Sequence, residues 1–289
     1  MNALPYRERV LPVACESEPL LAVLTEPAAA QSPAIGVLIV VGGPQYRVGS
    51  HRQFVLLARE LARAGHACLR FDVRGMGDAG GEMRSFEALD ADIHAALQAW
   101  RADAGAPGKL VLWGLCDGAS AALLYLHAQQ SRGLSGDAVQ GLCLLNPWVR
   151  SAEGQARAQV KHYYWDRLRQ RGFWTKLLSG KVALSALSGL LRALRQARQT
   201  SPAAPSAYQA RMANGLQQFA GPTLLLLSEH DYTAKEFQDH CSHSPQWQEL
   251  LRRPQIQQSL LNGADHTLSS RAAEQQMFDL LLAWLERLP

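Results

Sequence analysis

The chain has 289 residues, of which 47% are hydrophobic, and its 29 basic residues outnumber its 25 acidic ones, for a net charge of +4. Such a chain can bury a large core, and it suits one α/β domain that carries an insertion. No apolar run is long enough to span a bilayer and no signal peptide is recognisable, so we expect a cytoplasmic protein. Five scattered cysteines fit a reducing compartment. No spacing indicates a metal site, and no cofactor is expected.

The elements are predicted from hydrophobic periodicity. Residues 9–25 predict an antiparallel strand pair at a sheet edge, with its turn at Glu18-Pro19. Five apolar runs and one loosely alternating stretch, which reads as an outer strand, then predict parallel strands, and five further stretches predict helices. The strands are expected near 36–41, 67–72, 109–114, 139–145, 223–228 and 256–261, and the helices near 50–64, 86–101, 117–129, 234–252 and 270–287. This alternation predicts a mostly parallel, twisted sheet with helices on both faces.

One interval interrupts the alternation. Residues 147–220 have helical periodicity without strands, and they predict a helical cap inserted between core segments 1–146 and 221–289. Between Arg150 and Arg211 stand twelve basic and two acidic residues. Either these charges are simply solvated, or they bind an anionic partner. An acidic acyl carrier protein, the phosphates of a pantetheine thioester, or an anionic membrane surface would suit them, whereas no nucleic-acid motif accompanies the charge.

Gly114-Leu115-Cys116-Asp117-Gly118 lies between the predicted strand near 109–114 and a helix. This is the layout of a nucleophile elbow, G-x-S-x-G, with Cys in place of the usual Ser. Only glycine fits two positions before and after the nucleophile without clashing with nearby backbone. The helix N-terminus favours an anion, so a thiol there should ionise more readily than usual. The alternative is a Cys that merely fills a strand-to-helix junction.

An acid and a base follow in the order that the elbow requires. Asp231 comes after the predicted strand near 223–228, and His266 comes after the strand near 256–261. Because the carboxyl ends of parallel strands share one edge of a sheet, both are expected beside Cys116. His266 would take and return a proton, and Asp231 would orient the imidazole. Glu229 is a weaker candidate for the acid.

Together with Asp72-Val73-Arg74-Gly75-Met76-Gly77, these segments give the chain a resemblance to the α/β-hydrolase superfamily over nearly its full length. The resemblance implies the α/β-hydrolase fold and assigns Asp72 and Arg74 to the scaffold. The stretch 42–52 is similar to the first of the two hydrolases associated with the exosortase A system. That group is found beside genes for exopolysaccharide assembly and PEP-CTERM protein sorting, often with an acyl carrier protein.

In that superfamily, a backbone N–H after the first core strand completes the oxyanion hole. Here the strand leads into Gly42-Gly43-Pro44-Gln45, and proline has no N–H. We therefore expect the amide of Gln45, or that of Gly43, to act beside the amide of Asp117. The polar cluster Tyr46, Arg47, His51 and Arg52 either reaches the mouth of the site and binds substrate or forms a solvated loop.

The sequence thus predicts an acyl-group hydrolase, of thioesterase or esterase type, with a Cys-His-Asp triad and an acyl-cysteine intermediate. A Cys nucleophile exchanges one thioester for another at little energetic cost, so an acyltransferase is the nearest alternative. A further alternative is a non-catalytic scaffold that binds a partner through the basic segment.

Overall fold

The computed structural model describes residues 4–28, 35–43, 45–133, 139–150 and 207–289. An eight-stranded sheet forms the centre. Its strands are β1 (Tyr6–Cys15), β2 (Glu18–Pro27), β3 (Ile35–Val40), β4 (Ala67–Phe71), β5 (Lys109–Leu115), β6 (Gly141–Leu145), β7 (Thr223–Ser228) and β8 (Ile256–Leu261). They lie in the order β1-β2-β4-β3-β5-β6-β7-β8, and within this sheet only β2 runs against the rest. The predicted mostly parallel sheet is confirmed.

The helices of the described residues cover both faces of the sheet. They are α1 (Gln53–Arg63), α2 (Asp90–Arg101), α3 (Asp117–Ser131), α4 (Ala207–Gln218), α5 (Tyr232–Ser242), α6 (Pro245–Leu251) and α7 (Arg271–Leu285). α1 and α7 pack on one face, and α2 and α3 pack on the other. The parallel strands β3 to β7 are buried on both sides, which explains their continuous apolar runs.

The strand order fixes where a ligand can bind. From β3 the chain goes first to β4 on one side and later to β5 on the other, so the winding reverses between β3 and β5. At such a switch point the loops leaving the two strands diverge and open a crevice at their carboxyl ends. Gly42 follows β3 and Cys116 follows β5. The elbow therefore lies at the edge of the sheet where such a topology favours ligand binding.

Two local predictions are wrong. The first hairpin turns at Glu16 and Ser17, with Glu16 at φ +56°, and Pro19 lies inside β2 opposite Ala14. Proline is tolerated there because β2 pairs with β4 only from Ala22 onward. The predicted helix 234–252 is instead two helices, α5 and α6. Ser244 caps α6 and Pro245 occupies its first turn, since a residue before proline avoids the helical conformation.

The predicted cap lies mostly outside the described residues and stays a prediction. Residues 1–149 and 208–289 form one compact unit. From Tyr208 onward, helix α4, which the sequence analysis placed in the cap, belongs to this unit. Its Gly215 lies against α3, where an added Cβ would be 2.3 Å from the carbonyl oxygen of Leu123.

The assignment of Asp72 and Arg74 to the scaffold is confirmed. Asp72 accepts the backbone N–H groups of Arg47 and Asp78 at 2.7 and 3.0 Å. Arg74 donates through its Nε and Nη2 atoms to the carboxylate of Asp92 at 2.8–3.2 Å, and the Arg74 backbone N–H adds a bond of 2.9 Å. Asp92 is fully buried on α2. This pair ties the loop after β4 to α2.

Asp92→Ala leaves the guanidinium of Arg74 buried without its main partner. We expect the free energy of unfolding, measured by urea denaturation, to fall by about 3–5 kcal/mol. Glu16→Gln is the matched control, because Glu16 also bonds Arg74, at 2.6 Å, but is 65% exposed. Its effect should stay below about 1 kcal/mol. Equal effects of the two substitutions would contradict the structural role of the buried pair.

Candidate active site

The elbow at Cys116 is a strained turn held by backbone contacts. Cys116 has φ +59° and ψ −123°, and helix α3 begins at the next residue. Its N–H donates to the carbonyl of Leu145 at 2.9 Å, and its carbonyl accepts the N–H groups of Ala119, Ser120 and Trp148 at 3.1–3.2 Å. A positive φ costs a non-glycine residue on the order of 1–3 kcal/mol, so the surrounding bonds must enforce it.

Glycines permit this turn, as predicted. A Cβ at Gly114 would lie 2.6 Å from the backbone nitrogen of Ala119, and one at Gly118 would lie 2.4 Å from the carbonyl oxygen of Val40. Neither backbone atom can move without displacing a strand or a helix. The close approach of β5, β3 and α3 therefore requires glycine at both positions.

Exposure distinguishes Cys116 from the other cysteines, all of which lie in the described part of the chain. Cys116 is half-buried, whereas Cys15, Cys68, Cys143 and Cys241 are buried. Burial raises the pKa of the Cys15 thiol to about 11 and that of Cys68 to about 12, and it also raises the pKa values of Cys143 and Cys241. These four thiols suit the core, and Cys116 is the accessible one.

His266 and Asp231, the predicted base and acid, are hydrogen-bonded to each other. Nδ1 of His266 lies 2.8 Å from Oδ2 of Asp231. Asp231 is buried and caps α5 by accepting the N–H of Thr233 at 3.0 Å, so its carboxylate is fixed. This hydrogen bond raises the pKa of His266, and burial of the ring opposes the change. With Nδ1 directed to the carboxylate, Nε2 is the ring atom left to exchange a proton.

The loops that carry this pair are joined to each other. The N–H of Glu229 donates to Leu261 at 3.1 Å, and the N–H of His230 donates to Ala264 at 2.9 Å. The Glu229 carboxylate accepts the N–H of Gly263 at 2.7 Å. Glu229 therefore braces the histidine loop, while Asp231 contacts the imidazole. This geometry favours Asp231 over Glu229 as the acid.

The charges at the elbow and on the histidine loop influence each other. The carboxylate of Asp117 contributes to the raised pKa of His266, and the charge of His266 acts in return on Asp117. Asp265 adds a smaller effect on His266 and is itself occupied by Ser269, whose N–H it accepts at 2.9 Å. The convergence of Cys116 and His266 at one sheet edge stays a prediction.

Comparison with known proteins agrees with this architecture. The family described as "Alpha/beta hydrolase family" matches residues 37–278. The chain belongs to this family. No curated protein matches it in sequence.

Solved structures of hydrolases share its fold. An esterase from Pyrococcus furiosus superposes with a TM-score of 0.65 at 13% identity, covering 99% of this chain and 94% of its own. A dienelactone hydrolase from Anabaena variabilis gives a TM-score of 0.62 at 14% identity, covering 98% and 99%. The predicted α/β-hydrolase fold is confirmed. Within the described residues, no helix has the length and apolarity to cross a membrane, and no cluster of side chains is suited to a metal.

The predicted oxyanion donors of this α/β hydrolase are only partly available. The N–H of Gln45 donates to the carbonyl of Gly43 at 2.8 Å, so it is already used within its own turn. The backbone N–H groups of Gly43 and Gly118 stabilise the carboxylate of Asp117. The roles of Gln45 and Asp117 as backbone donors remain predictions. Pro44 lies outside the described residues.

The four residues of the predicted substrate-binding cluster differ in their contacts and exposure. Arg47 forms ion pairs with Asp72 and with Asp78, the latter at 2.7 Å, so its guanidinium braces the scaffold. Tyr46 is exposed beside it, and His51 and Arg52 are exposed in a turn that precedes α1. Hydrogen bonds from Ser269 lower the pKa of Asp265, and His51 adds a smaller effect in the same direction.

Asn146 is a site residue that the sequence analysis missed. It is fully buried at the end of β6, with φ +49°. Its side chain donates to the hydroxyl of Ser228 at 2.9 Å and accepts the Ser228 N–H at 2.8 Å. Because Asp231 N–H in turn donates to Ser228 at 3.3 Å, Asn146 braces the acid loop. A polar residue directly after a buried strand was the available signal, and it is the same signal that identified Asp231.

Asp231→Asn should lower the pKa of His266, measured by the pH titration of its ring resonances in NMR. The loss of the carboxylate removes the bond that favours the imidazolium. Because this bond raises the pKa of His266, it stabilises the folded chain fully at pH values below the pKa that His266 has in the unfolded state. The stabilisation is lost as the pH rises through the pKa of His266 in the folded state. Glu229→Gln, which alters the neighbouring carboxylate, should leave the pKa of His266 unchanged. If Glu229→Gln lowers the pKa of His266 more than Asp231→Asn does, Glu229 and not Asp231 is the acid that orients the imidazole.

Asn146→Ala should lower the free energy of unfolding by about 1–3 kcal/mol, because the buried N–H of Ser228 loses its acceptor. Thermal denaturation measures this change. Asn262→Ala is the control, since Asn262 is exposed in the turn after β8. It should change stability by less than about 0.5 kcal/mol. If both variants are equally stable, Asn146 does not brace the acid loop.

Proposed function

We propose that this α/β hydrolase cleaves acyl thioesters or esters through an acyl-cysteine on Cys116. The observation that carries the proposal is the imidazole–carboxylate bond of His266 and Asp231, at 2.8 Å, on loops beside an elbow whose nucleophile position holds a half-buried cysteine. Family membership supports acyl chemistry but does not specify the nucleophile or substrate.

In the acylation step, the Cys116 thiol passes its proton to Nε2 of His266, the thiolate Sγ attacks the acyl carbon, and the carbonyl π electron pair moves to oxygen. The S–C bond forms, the bond to the leaving group breaks as the carbonyl returns, and Nε2 of His266 gives the departing group that proton. In the second step, water loses a proton to Nε2 of His266 and attacks the acyl carbon, the C–S bond breaks to release the acid, and the proton on His266 returns to Sγ of Cys116. Asp231 keeps the imidazole in the tautomer that both steps require.

Helix α3 supports a negatively charged nucleophile. Cys116 is its N-cap, and the helix has 15 residues, so its dipole favours an anion at that end. A thioester is the substrate class that suits this nucleophile best, because acyl transfer from one sulfur to another changes the bond energy little. We extend the proposal to an acidic acyl carrier protein as donor, supported by the net basic segment between Arg150 and Arg211, most of which lies outside the described residues.

Intact-mass analysis after incubation with acyl-coenzyme A thioesters of increasing chain length tests the proposal. The chain should gain the mass of one acyl group, and peptide mapping should place it on Cys116. Cys116→Ala should abolish the adduct and lower turnover by about 10³-fold or more. Cys241→Ala, which removes a buried thiol, should leave both unchanged.

The same experiment separates the alternatives. An adduct that water discharges identifies a hydrolase, and one that persists until a hydroxyl or amine acceptor is added identifies an acyltransferase. No adduct with any thioester or activated ester, together with full turnover by Cys116→Ala, would contradict catalysis by Cys116. If neither an adduct nor turnover is found, the result would favour the alternative of a non-catalytic scaffold.

A further inference from the structure

The backbone of the turn after β3 supplies few donors for an oxyanion. Pro44 has no N–H. The N–H of Gln45 donates to the carbonyl of Gly43 at 2.8 Å, and the N–H of Gly43 bonds the carboxylate of Asp117. The side-chain amide of Gln45 is a further donor in the same turn, and it is not engaged by these backbone bonds.

The carboxamide of Gln45 holds an unpaired atom. Its Oε1 is buried and has no hydrogen-bond partner among the described residues, although the side chain as a whole is only partly buried. An unpaired buried polar atom costs about 1–3 kcal/mol, so each one in a folded protein calls for an explanation such as a catalytic role. A primary amide has two N–H donors and turns about its last bond, so Nε2 can take the position of Oε1. The carboxamide is therefore suited to a ligand that accepts a hydrogen bond.

The backbone on both sides of Gln45 is fixed. On one side, a Cβ added to Gly42 would lie 2.2 Å from the backbone nitrogen of Gly118, so the turn lies directly against the start of α3. On the other side, Arg47 donates its backbone N–H to Asp72 at 2.7 Å, and its guanidinium pairs with the same carboxylate. The donor is thus carried by a rigid turn beside the nucleophile elbow, which is the arrangement that stabilises an oxyanion most effectively.

We propose that Gln45 is a catalytic residue, whose side-chain Nε2 donates an N–H to the oxyanion in place of the backbone N–H that Pro44 lacks. This inference rests on the proposed function. As the bond from Sγ of Cys116 to the acyl carbon forms, the carbonyl oxygen gains the negative charge and accepts this hydrogen bond. No proton is transferred, because Gln45 keeps both amide hydrogens, and the bond weakens again when the carbonyl returns.

A catalytic role and a structural role of Gln45 predict different effects on stability. Methionine is similar to glutamine in length and volume but has no donor. Gln45→Met therefore removes the proposed bond to the oxyanion and, with it, the unpaired buried oxygen. If the carboxamide serves catalysis, the variant loses rate without losing stability. If the carboxamide only supports the turn, the variant loses stability.

The test compares two reactions of Cys116 in each protein. Acylation by an acyl-coenzyme A thioester, followed by rapid quench and intact mass, passes through an oxyanion, whereas alkylation by iodoacetamide does not. Gln45→Met should be acylated about 10²–10³-fold more slowly than the wild type, with an unchanged rate of alkylation and an unchanged or higher Tm. Gln45→Glu should be at least as slow at neutral pH, because its carboxylate keeps the shape of the side chain but repels the oxyanion.

Gln53→Met is the matched control. Gln53 begins α1, is buried, and its Nε2 also has no hydrogen-bond partner within the described part of the chain, but it lies beyond the turn. Its substitution should leave both rates unchanged. Acylation of Gln45→Met or Gln45→Glu at the wild-type rate, or an equal loss of acylation and alkylation, would overturn the inference while the acyl-cysteine itself stands. A wild type that is alkylated at Cys116 but forms no acyl-cysteine would overturn the proposed function and this inference together.

Discussion

The close approach of three backbone segments at the elbow is the constraint on which the site depends. β5 must end and α3 begin within one residue, and the carbonyl of Val40 on β3 must lie against Gly118. This contact forces Cys116 into a positive φ that it would not adopt alone. The cost is met by the sheet, since the Cys116 N–H is bonded to Leu145 at the end of β6. A nucleophile on such a turn is held above the edge of the sheet without any flexible linker.

The acid and the base are held differently, by loops that brace each other. Asn146 fixes Ser228, the chain then bends to Asp231, and Glu229 and His230 join this bend to the histidine loop. The imidazole is therefore oriented by a carboxylate that has no freedom of its own. Neighbouring carboxylates on these loops therefore have different hydrogen-bond partners. Those of Glu229 and Asp265 accept backbone N–H groups of the histidine loop, whereas that of Asp231 bonds the imidazole of His266.

The sequence predicted the fold closely where burial decides the pattern. The bounds of β7 and β8 were predicted to the residue. β7 is buried on both faces and forms an almost uninterrupted apolar run, whereas β8 lies at the edge of the sheet and alternates between buried and more exposed residues. Boundaries that depend on local turn chemistry were less predictable. The break before Pro245 is one example, where a favourable N-cap at Ser244 ended a helix that periodicity alone would have continued.

The candidate site was predictable as a set of positions and less so as a set of contacts. The positions of Cys116, Asp231 and His266 were predicted from strand ends and chain order, and all three follow the carboxyl ends of parallel strands in the sheet. The ion pairing of Arg47 with Asp72 and Asp78 could not be foreseen, because it joins two loops whose separation depends on the packing of β3 against β4. The bond between Gln45 and Gly43 is also a matter of local backbone geometry, which residue identities do not specify.

The central claim is that Cys116, His266 and Asp231 act as one unit. Its most direct measurement is the rate of alkylation of Cys116 by iodoacetamide from pH 5 to 9, in the wild type and in His266→Ala, with the site verified by peptide mapping. If the imidazole supports the thiolate, the wild type will react well below the pH at which an ordinary thiol reacts, about 8.5, and the variant will react only at higher pH. Superimposable pH profiles of the two proteins would contradict the account.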